Sequence, residues 1–200
     1  MLADIGPAAV KLQAKTFERL VIGQIKETQG KSDGLSQIDH YMKVVADKTG
    51  SLIATSARFG ALLSGAKPEV VEVLTKFGEK IGVAFQVADD LLDVASNETA
   101  SGKTPGTDLK EGIPTLVTLY VIAANEPEDK DLIAKLRSPI SDQDLPSVIS
   151  KLRTHSAVKE VQGYLAQVAK EANDLLVDLP EGAAKEGLKN LTYALVNRST

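Results

Sequence analysis

The sequence predicts an all-α protein. Apolar residues recur at intervals of three and four along most of the 200 residues, and the alternation typical of strands is rare. Pro7, Pro68 and Pro114 each stand at the start of such a run, and proline is favoured in the first turn of a helix. The composition, 43% apolar and 25% charged, is that of a globular protein.

The periodic segments follow one another with short interruptions. We predict helices near 7–29, 35–64, 68–95, 113–124, 128–137, 144–154, 157–178 and 182–197. The stretch 30–34 is the first loop, and the stretch 96–112, rich in Gly, Ser, Thr and Pro, is the longest one. Because neither a repeat nor an interdomain linker is evident, we predict one domain over residues 1–200.

Composition and charge disfavour several classes of protein. The absence of cysteine excludes disulfides, thiolate metal sites and cysteine nucleophiles. A net charge of −4 and an aromatic content of 4% disfavour a nucleic-acid partner. Uncharged apolar runs are shorter than the ~20 residues that a membrane-spanning helix needs, and no signal-peptide pattern opens the chain. We expect no membrane span and a cytoplasmic location.

The helix predicted over 68–95 has two distinct faces. Its apolar residues recur at alternating spacings of four and three, which forms one stripe that faces a core. The stripe consists of Val70, Leu74, Phe77, Ile81, Ala84, Ala88 and Leu91. Gly82, Gln86, Asp89 and Asp93 form a second face, roughly 120° away at ~100° per residue.

The segment "FQVADDLLDV" (85–94) places acids where the helix disfavours them. Asp89 and Asp93 are a like-charge pair one turn apart, near the negative end of the helix dipole. Carboxylates at this spacing suit Mg²⁺, which takes one or two of them together with water and phosphate oxygens. The alternative is an ordinary solvent-exposed face at a helix end.

The following loop, "GKTPGTDLKEGIPTL" (102–116), carries Lys103 and Lys110 with Asp108. A lysine in a glycine-bearing loop can close over a phosphate group as a point charge. The alternative for both lysines is ordinary surface charge.

Several segments together resemble the trans-isoprenyl diphosphate synthases, the polyprenyl synthetase family. They are "GQIKET" (23–28), "DKTG" (47–50), "GVAFQVADDLLDV" (82–94), "GKTPGTDLKEGIPTL" (102–116) and "NRS" (197–199). The resemblance implies the helical bundle of the isoprenoid (terpenoid) synthases. It also implies the Mg²⁺-dependent joining of isopentenyl diphosphate to an allylic diphosphate, which yields a longer polyprenyl diphosphate.

The resemblance assigns roles motif by motif. Asp89 is implied as the direct magnesium ligand, with Asp93 beside it and Asp90 holding metal-bound water. Thr49 and Gln86 are implied to face the developing allylic cation. The residues implied to bind diphosphate or to lie close to it are Lys48, Lys103, Arg198 and Gln24.

The chain also departs from the family pattern. The first aspartate-rich motif and a G-G-K-R segment are absent, so we expect the C-terminal part of a longer synthase, a bundle whose N-terminal helices are missing and which is inactive alone. The family habit implies a homodimer for the full-length protein. Ile113 stands where many relatives have lysine, and whether Lys110 substitutes for that lysine stays open. His40 and His155 match no catalytic position and are expected to have packing or surface roles.

Two other interpretations remain at this point. The chain could be a non-catalytic subunit that binds and modulates a partner synthase, although such a subunit has no need to keep unfavourably placed acids. It could also be a helical interaction domain without a ligand, which does not explain the ordered motifs.

Overall fold

Helices are the only regular secondary structure in the part of the chain that the structure describes. The computed structural model describes residues 2–31, 34–95 and 105–198. Every regular element within these ranges is helical, which confirms the predicted fold class. The residues form two compact units: Met1–Gln86 with Gln167–Ala194, and Val87–Ala166 with Leu195–Thr200. Among the described helices, none has the length and apolar character needed to cross a membrane.

The N-terminal helices follow the predicted order. They are α1 (Leu2–Ile5), α2 (Pro7–Gln29), α3 (Gln37–Val45), a π-helical segment (Ala46–Gly50), α4 (Ser51–Leu63) and α5 (Pro68–Ala95). The helix predicted over 35–64 is continuous but contains this π segment, in which the Ser51 N–H donates to the carbonyl of Ala46. One residue more than a regular turn is accommodated there, as at many functional sites.

The remaining helices are shorter on average and depart further from prediction. They are α6 (Thr107–Glu111), α7 (Leu116–Ala124), a 3-10 turn (Pro127–Asp129), α8 (Lys130–Leu136), α9 (Leu145–Thr154), α10 (Ser156–Leu175) and α11 (Ala183–Arg198). The prediction of an irregular stretch through 107–111 was wrong. Helix α7 begins three residues after its predicted start near 113, because Thr115 caps it and the Thr115 side chain accepts from the N–H of Thr118.

The apolar stripe of α5 forms part of the core, as predicted. Phe77 and Ile81 are each 2% exposed, and Leu91 is fully buried. Val70 and Leu74, near the start of the helix, are half-buried. The stripe therefore deepens into the core toward the C-terminal half of the helix, where the acids lie.

Two glycines allow the π segment to approach its neighbours closely. A Cβ at Gly82 of α5 would lie 2.6 Å from Gly50 Cα, and a Cβ at Gly23 of α2 would lie 2.9 Å from the backbone nitrogen of Lys48. Real Cβ atoms do not come so close to backbone atoms. The π segment therefore rests against α2 on one side and α5 on another with no side chain between the backbones.

His155 has a structural role at the start of α10. Its Nδ1 accepts the N–H of Ala157 at 3.0 Å, and its Nε2 lies 2.9 Å from Asp129 Oδ2. Because Nδ1 accepts, the ring proton sits on Nε2 and is donated to the carboxylate. This arrangement agrees with the packing role expected for His155.

We expect Gly82→Ala to lower the free energy of unfolding by about 1–3 kcal/mol, because the added methyl group overpacks the contact with Gly50. Gly60→Ala in α4 is the matched control, since no atom lies within 4 Å of the Cβ that it would add. That change should raise stability by about 0.5–1 kcal/mol through helix propensity. Urea unfolding followed by circular dichroism measures both. Equal effects of the two substitutions would contradict the close approach.

Candidate functional site

The π segment contains Lys48 and Thr49, and ion pairs of the preceding residue, Asp47, hold the segment against α2. Asp47 Oδ1 pairs with Arg19 Nε at 3.2 Å, and its Oδ2 pairs with Lys26 Nζ at 2.9 Å. Arg19 also reaches Glu79 Oε1 of α5 at 2.8 Å. One arginine thus ties α2, the π segment and α5 together.

These partners also set the ionisation of Asp47. Burial alone would raise the pKa of Asp47, but the hydrogen bonds and charges of Lys26 and Arg19 outweigh it, so the pKa lies below its ordinary value. The carboxylate is therefore ionised at neutral pH and keeps both cations in place.

Thr49 and Gln86, predicted to act together, are in contact. The Thr49 hydroxyl donates to the Gln86 amide oxygen at 3.1 Å, one turn along α5 from Gly82. The absence of a side chain at Gly82 brings the π segment close enough for this bond to form. Two polar side chains thus present their oxygen atoms next to each other in the first unit.

Lys48 lies beside Thr49 and extends along α2. Its Nζ donates to Glu27 Oε2 at 2.7 Å, and the amide of Gln24 donates to the same oxygen at 2.8 Å. The Lys48 side chain is 39% exposed. The ammonium group is therefore held by a carboxylate while solvent, and any anion in it, can still reach the pair.

The second unit contains the aspartates of α5. Asp93 Oδ1 accepts the N–H of Thr107 at 3.0 Å, and the Asp93 carbonyl accepts the N–H of Gly106 at 2.9 Å. Burial raises the pKa of Asp93; the N–H groups of residues 106–108 act against that rise, and the charge of Asp89 adds to it. Oδ2 of Asp93 is buried and, within the described residues, has no hydrogen-bond partner.

Asp90 forms a hydrogen bond with the N-terminus of α7. Its Oδ2 accepts the N–H of Leu116, the first residue of α7, at 3.1 Å. Asp90 is 3% exposed. A carboxylate at a helix N-terminus satisfies an unpaired N–H and matches the positive end of the helix dipole.

Burial decides between the two readings of the acidic segment. Asp90 and Asp93 are both buried and Asp89 is half-buried, so the ordinary solvent-exposed face does not describe them. In residues 2–31, 34–95 and 105–198, however, no three acidic or histidine side chains are arranged to hold a metal. The donor set still fits Mg²⁺, because that ion needs only one or two carboxylates and Asp93 offers a buried oxygen without a partner.

The remaining predicted residues are less informative. Lys110 pairs with Asp142 at 2.5 Å on the surface of the second unit, which agrees with the surface-charge alternative. Lys103 lies outside the described residues, as does the side chain of Arg198.

Sequence reasoning missed Glu27, Arg19 and Asp47. Glu27 follows Gln24 by three residues on one helix, a spacing at which two side chains meet, and this was the available signal. Asp47 opens the segment "DKTG", but its ion pairs were not predicted, and Arg19 carried no signal, because the elements that bring the two together are distant in the chain.

Comparisons with known proteins identify the family of the chain. The sequence profile described as Polyprenyl synthetase matches residues 1–152, and the chain therefore belongs to the polyprenyl synthetase family. It is 40% identical over 199 residues to the nonaprenyl diphosphate synthase of Mycobacterium tuberculosis, covering 99% of this chain and 59% of that protein.

Two solved structures share the fold. The geranylgeranyl pyrophosphate synthase of Corynebacterium glutamicum, complexed with calcium and isoprenyl diphosphate, is 36% identical with a TM-score of 0.90, over 98% of this chain and 62% of that one. The polyprenyl synthase of Caulobacter crescentus CB15, in a complex with the same ligands, is 26% identical with a TM-score of 0.86, over 98% and 60%. The chain spans about three fifths of the length of these relatives.

We expect Asp90→Ala to lower the free energy of unfolding by about 1–3 kcal/mol, because the N–H of Leu116 is left buried without its acceptor. Glu111→Ala, which removes an exposed acid from the same unit, should change stability by no more than about 0.5 kcal/mol. Thermal unfolding of both variants provides the comparison. An Asp90 variant as stable as the Glu111 variant would refute the anchoring role.

The lowered pKa of Asp47 predicts how acid affects stability. Its ion pairs stabilise the fold above the unfolded carboxylate pKa of about 3.9, and the contribution is lost as the pH falls through the lower folded pKa. The stability difference between wild type and Asp47→Asn should therefore be largest near neutral pH and shrink below about pH 4. Urea titrations across this range measure it. A difference independent of pH would show that the charge of Asp47 contributes nothing.

Proposed function

We propose that this chain serves in magnesium-dependent prenyl transfer, in which isopentenyl diphosphate is joined to an allylic diphosphate. The observation that carries the proposal is the pair of acids one turn apart at the end of α5, the half-buried Asp89 and the buried Asp93. Asp93 has an oxygen without a hydrogen-bond partner within the described residues, and the helix dipole opposes both charges. A bound cation would supply a partner for the buried oxygen and would offset the unfavourable interaction of the two carboxylates with the helix dipole. The relatives named as prenyl synthases, one of them solved with calcium and isoprenyl diphosphate, support the same assignment.

Asp89 and Asp93 are the residues proposed to hold the magnesium. Bound there, the ion would neutralise the charge that develops on a diphosphate as it leaves. Asp90 is assigned to the N-terminus of α7 instead, because its Oδ2 already accepts the N–H of Leu116. This assignment differs from the metal-bound water that the resemblance implies for Asp90.

Lys48 supplies a fixed positive charge for the departing diphosphate. Preorganised cations stabilise a charge that grows in the transition state more than they stabilise the ground state. The resemblance assigns Lys103 and Arg198 to diphosphate binding as well, and Lys110 remains a weaker candidate because it pairs with Asp142.

Thr49 and Gln86 are proposed to face the allylic cation. Their oxygen atoms, brought together by the hydrogen bond between them, orient negative dipoles without adding a nucleophile that would trap the cation. The proton lost after condensation passes to the released diphosphate, so the proposal requires no protein base.

The alternative, a non-catalytic subunit that modulates a partner synthase, is not favoured. The chain keeps Lys48, Thr49, Gln86 and the three aspartates. Asp93 retains a buried oxygen without a partner within the described residues, an unfavourable feature for which a subunit without a metal site has no use. A homodimer of the whole protein stays a prediction.

Neutralising Asp89 or Asp93 should weaken diphosphate binding while the chain stays folded. We expect Asp89→Asn and Asp93→Asn each to weaken the binding of inorganic diphosphate in the presence of Mg²⁺ by about tenfold or more, the equivalent of ~1.4 kcal/mol. Isothermal titration calorimetry on the 200-residue chain measures this, with circular dichroism as the check on folding. Glu111→Gln removes an exposed charge from the same unit and serves as the control. Unchanged affinity in both aspartate variants at saturating Mg²⁺ would rule out the proposed metal site.

A further inference from the structure

Glu27 is the residue on which the polar side chains around Lys48 converge. A single oxygen, Oε2, accepts from Lys48 Nζ at 2.7 Å and from Gln24 Nε2 at 2.8 Å. The lysine comes from the π segment, whereas the other two residues lie on α2, three positions apart. The motif resemblance gives Gln24 and Lys48 roles but gives none to the carboxylate that joins them.

The backbone of Lys48 is already fixed before its side chain is considered. Its nitrogen lies against Gly23, where a Cβ would come within 2.9 Å. The preceding residue, Asp47, is held by Arg19 and Lys26. The freedom that remains belongs to the four-carbon stem of Lys48, which has many rotamers and a strongly hydrated end group.

Glu27 removes much of that freedom. It lies one helical turn beyond Gly23 on α2, so the Lys48 stem runs along α2 from the close backbone contact to the carboxylate. An ammonium group has three donors, and the bond to Glu27 uses one of them. The others can bind an anion while the first stays in place.

We infer that Glu27 is a positioning residue that holds the Lys48 ammonium group in the orientation in which it receives a diphosphate. The inference rests on the proposed function, which makes Lys48 a diphosphate ligand. Glu27 itself does not touch the diphosphate; it acts through Lys48 and, by the same oxygen, fixes the amide of Gln24.

The hydrogen-bond acceptor and the negative charge of Glu27 have opposite effects on an incoming anion. The acceptor orients Lys48 and lowers the entropy lost on binding, whereas the charge repels the diphosphate. The side chains of Lys48 and Glu27 are partly exposed, at 39% and 29%. Solvent therefore screens the repulsion between the Glu27 carboxylate and the diphosphate, but it cannot orient the Lys48 ammonium group as Glu27 does. A glutamine at this position keeps the acceptor and removes the charge.

The test compares Glu27→Gln with Glu27→Ala. Titration of inorganic diphosphate with Mg²⁺ into the 200-residue chain should show at least wild-type affinity for Glu27→Gln and a loss of about threefold to fivefold for Glu27→Ala, the range of a partly exposed ion pair. Glu72→Ala is the matched control, since it breaks the exposed Glu72–Lys76 pair on α5 and should leave the affinity unchanged.

A second measurement needs no diphosphate. The rate at which acetic anhydride modifies Lys48, followed by mass spectrometry, should rise in Glu27→Ala because the amine is no longer held against a carboxylate. The Glu72→Ala variant should show the same rise at Lys76 and none at Lys48.

The outcomes separate the inference from the function on which it rests. An unchanged or tighter affinity in Glu27→Ala, or an equal loss in both Glu27 variants, overturns the positioning role. If wild type binds no diphosphate but the Lys48 rate still responds to Glu27→Ala, the proposed function fails and the contact stands. If wild type binds diphosphate and the Lys48 rate does not respond, the inference fails alone.

Discussion

The first unit depends on the close approach of the π segment to two helices. Gly23 and Gly82 are the positions at which α2 and α5 have no side chain, and the backbone of residues 48–50 occupies the space that a Cβ would fill. A side chain at either position would push the segment outward and break the contacts that follow from its place. The Asp47 ion pairs, the Thr49–Gln86 hydrogen bond and the Lys48–Glu27 pair all need this approach. The absence of a Cβ at Gly23 and Gly82 thus determines where the side chains of Asp47, Lys48 and Thr49 lie.

Helix α5 combines core packing with chemistry by separating its faces. Phe77 and Ile81 are buried on one face, while Gly82 and Gln86 on another meet the π segment. Toward its C-terminus the same helix supplies the buried acids of the second unit, and these are not alike. Asp90 stabilises the N-terminus of α7, whereas Asp93 keeps one oxygen without a partner in the described structure. Two acids of one motif, three positions apart, therefore divide into a structural residue and a candidate metal ligand.

The sequence revealed local features well and long-range ones poorly. Helix α5 was predicted with its observed bounds because Pro68 marks its start and its apolar spacing persists over the whole length. The π segment was missed because one extra residue barely disturbs a helical pattern. The family motifs indicated Lys48, Thr49, Gln86 and the aspartates, but not that Asp90 would reach Leu116, 26 residues further along the chain. Such partners depend on tertiary packing, which periodicity alone does not contain.

A crystal structure of the chain with Mg²⁺ and inorganic diphosphate tests most directly whether the π segment delivers a cation to the diphosphate. We expect a diphosphate oxygen within hydrogen-bonding distance of Lys48 Nζ, with Nζ still bound to Glu27 and residues 48–50 still packed against Gly23 and Gly82. A bound diphosphate that makes no contact with Lys48 would show that the π segment does not bind the diphosphate through this residue.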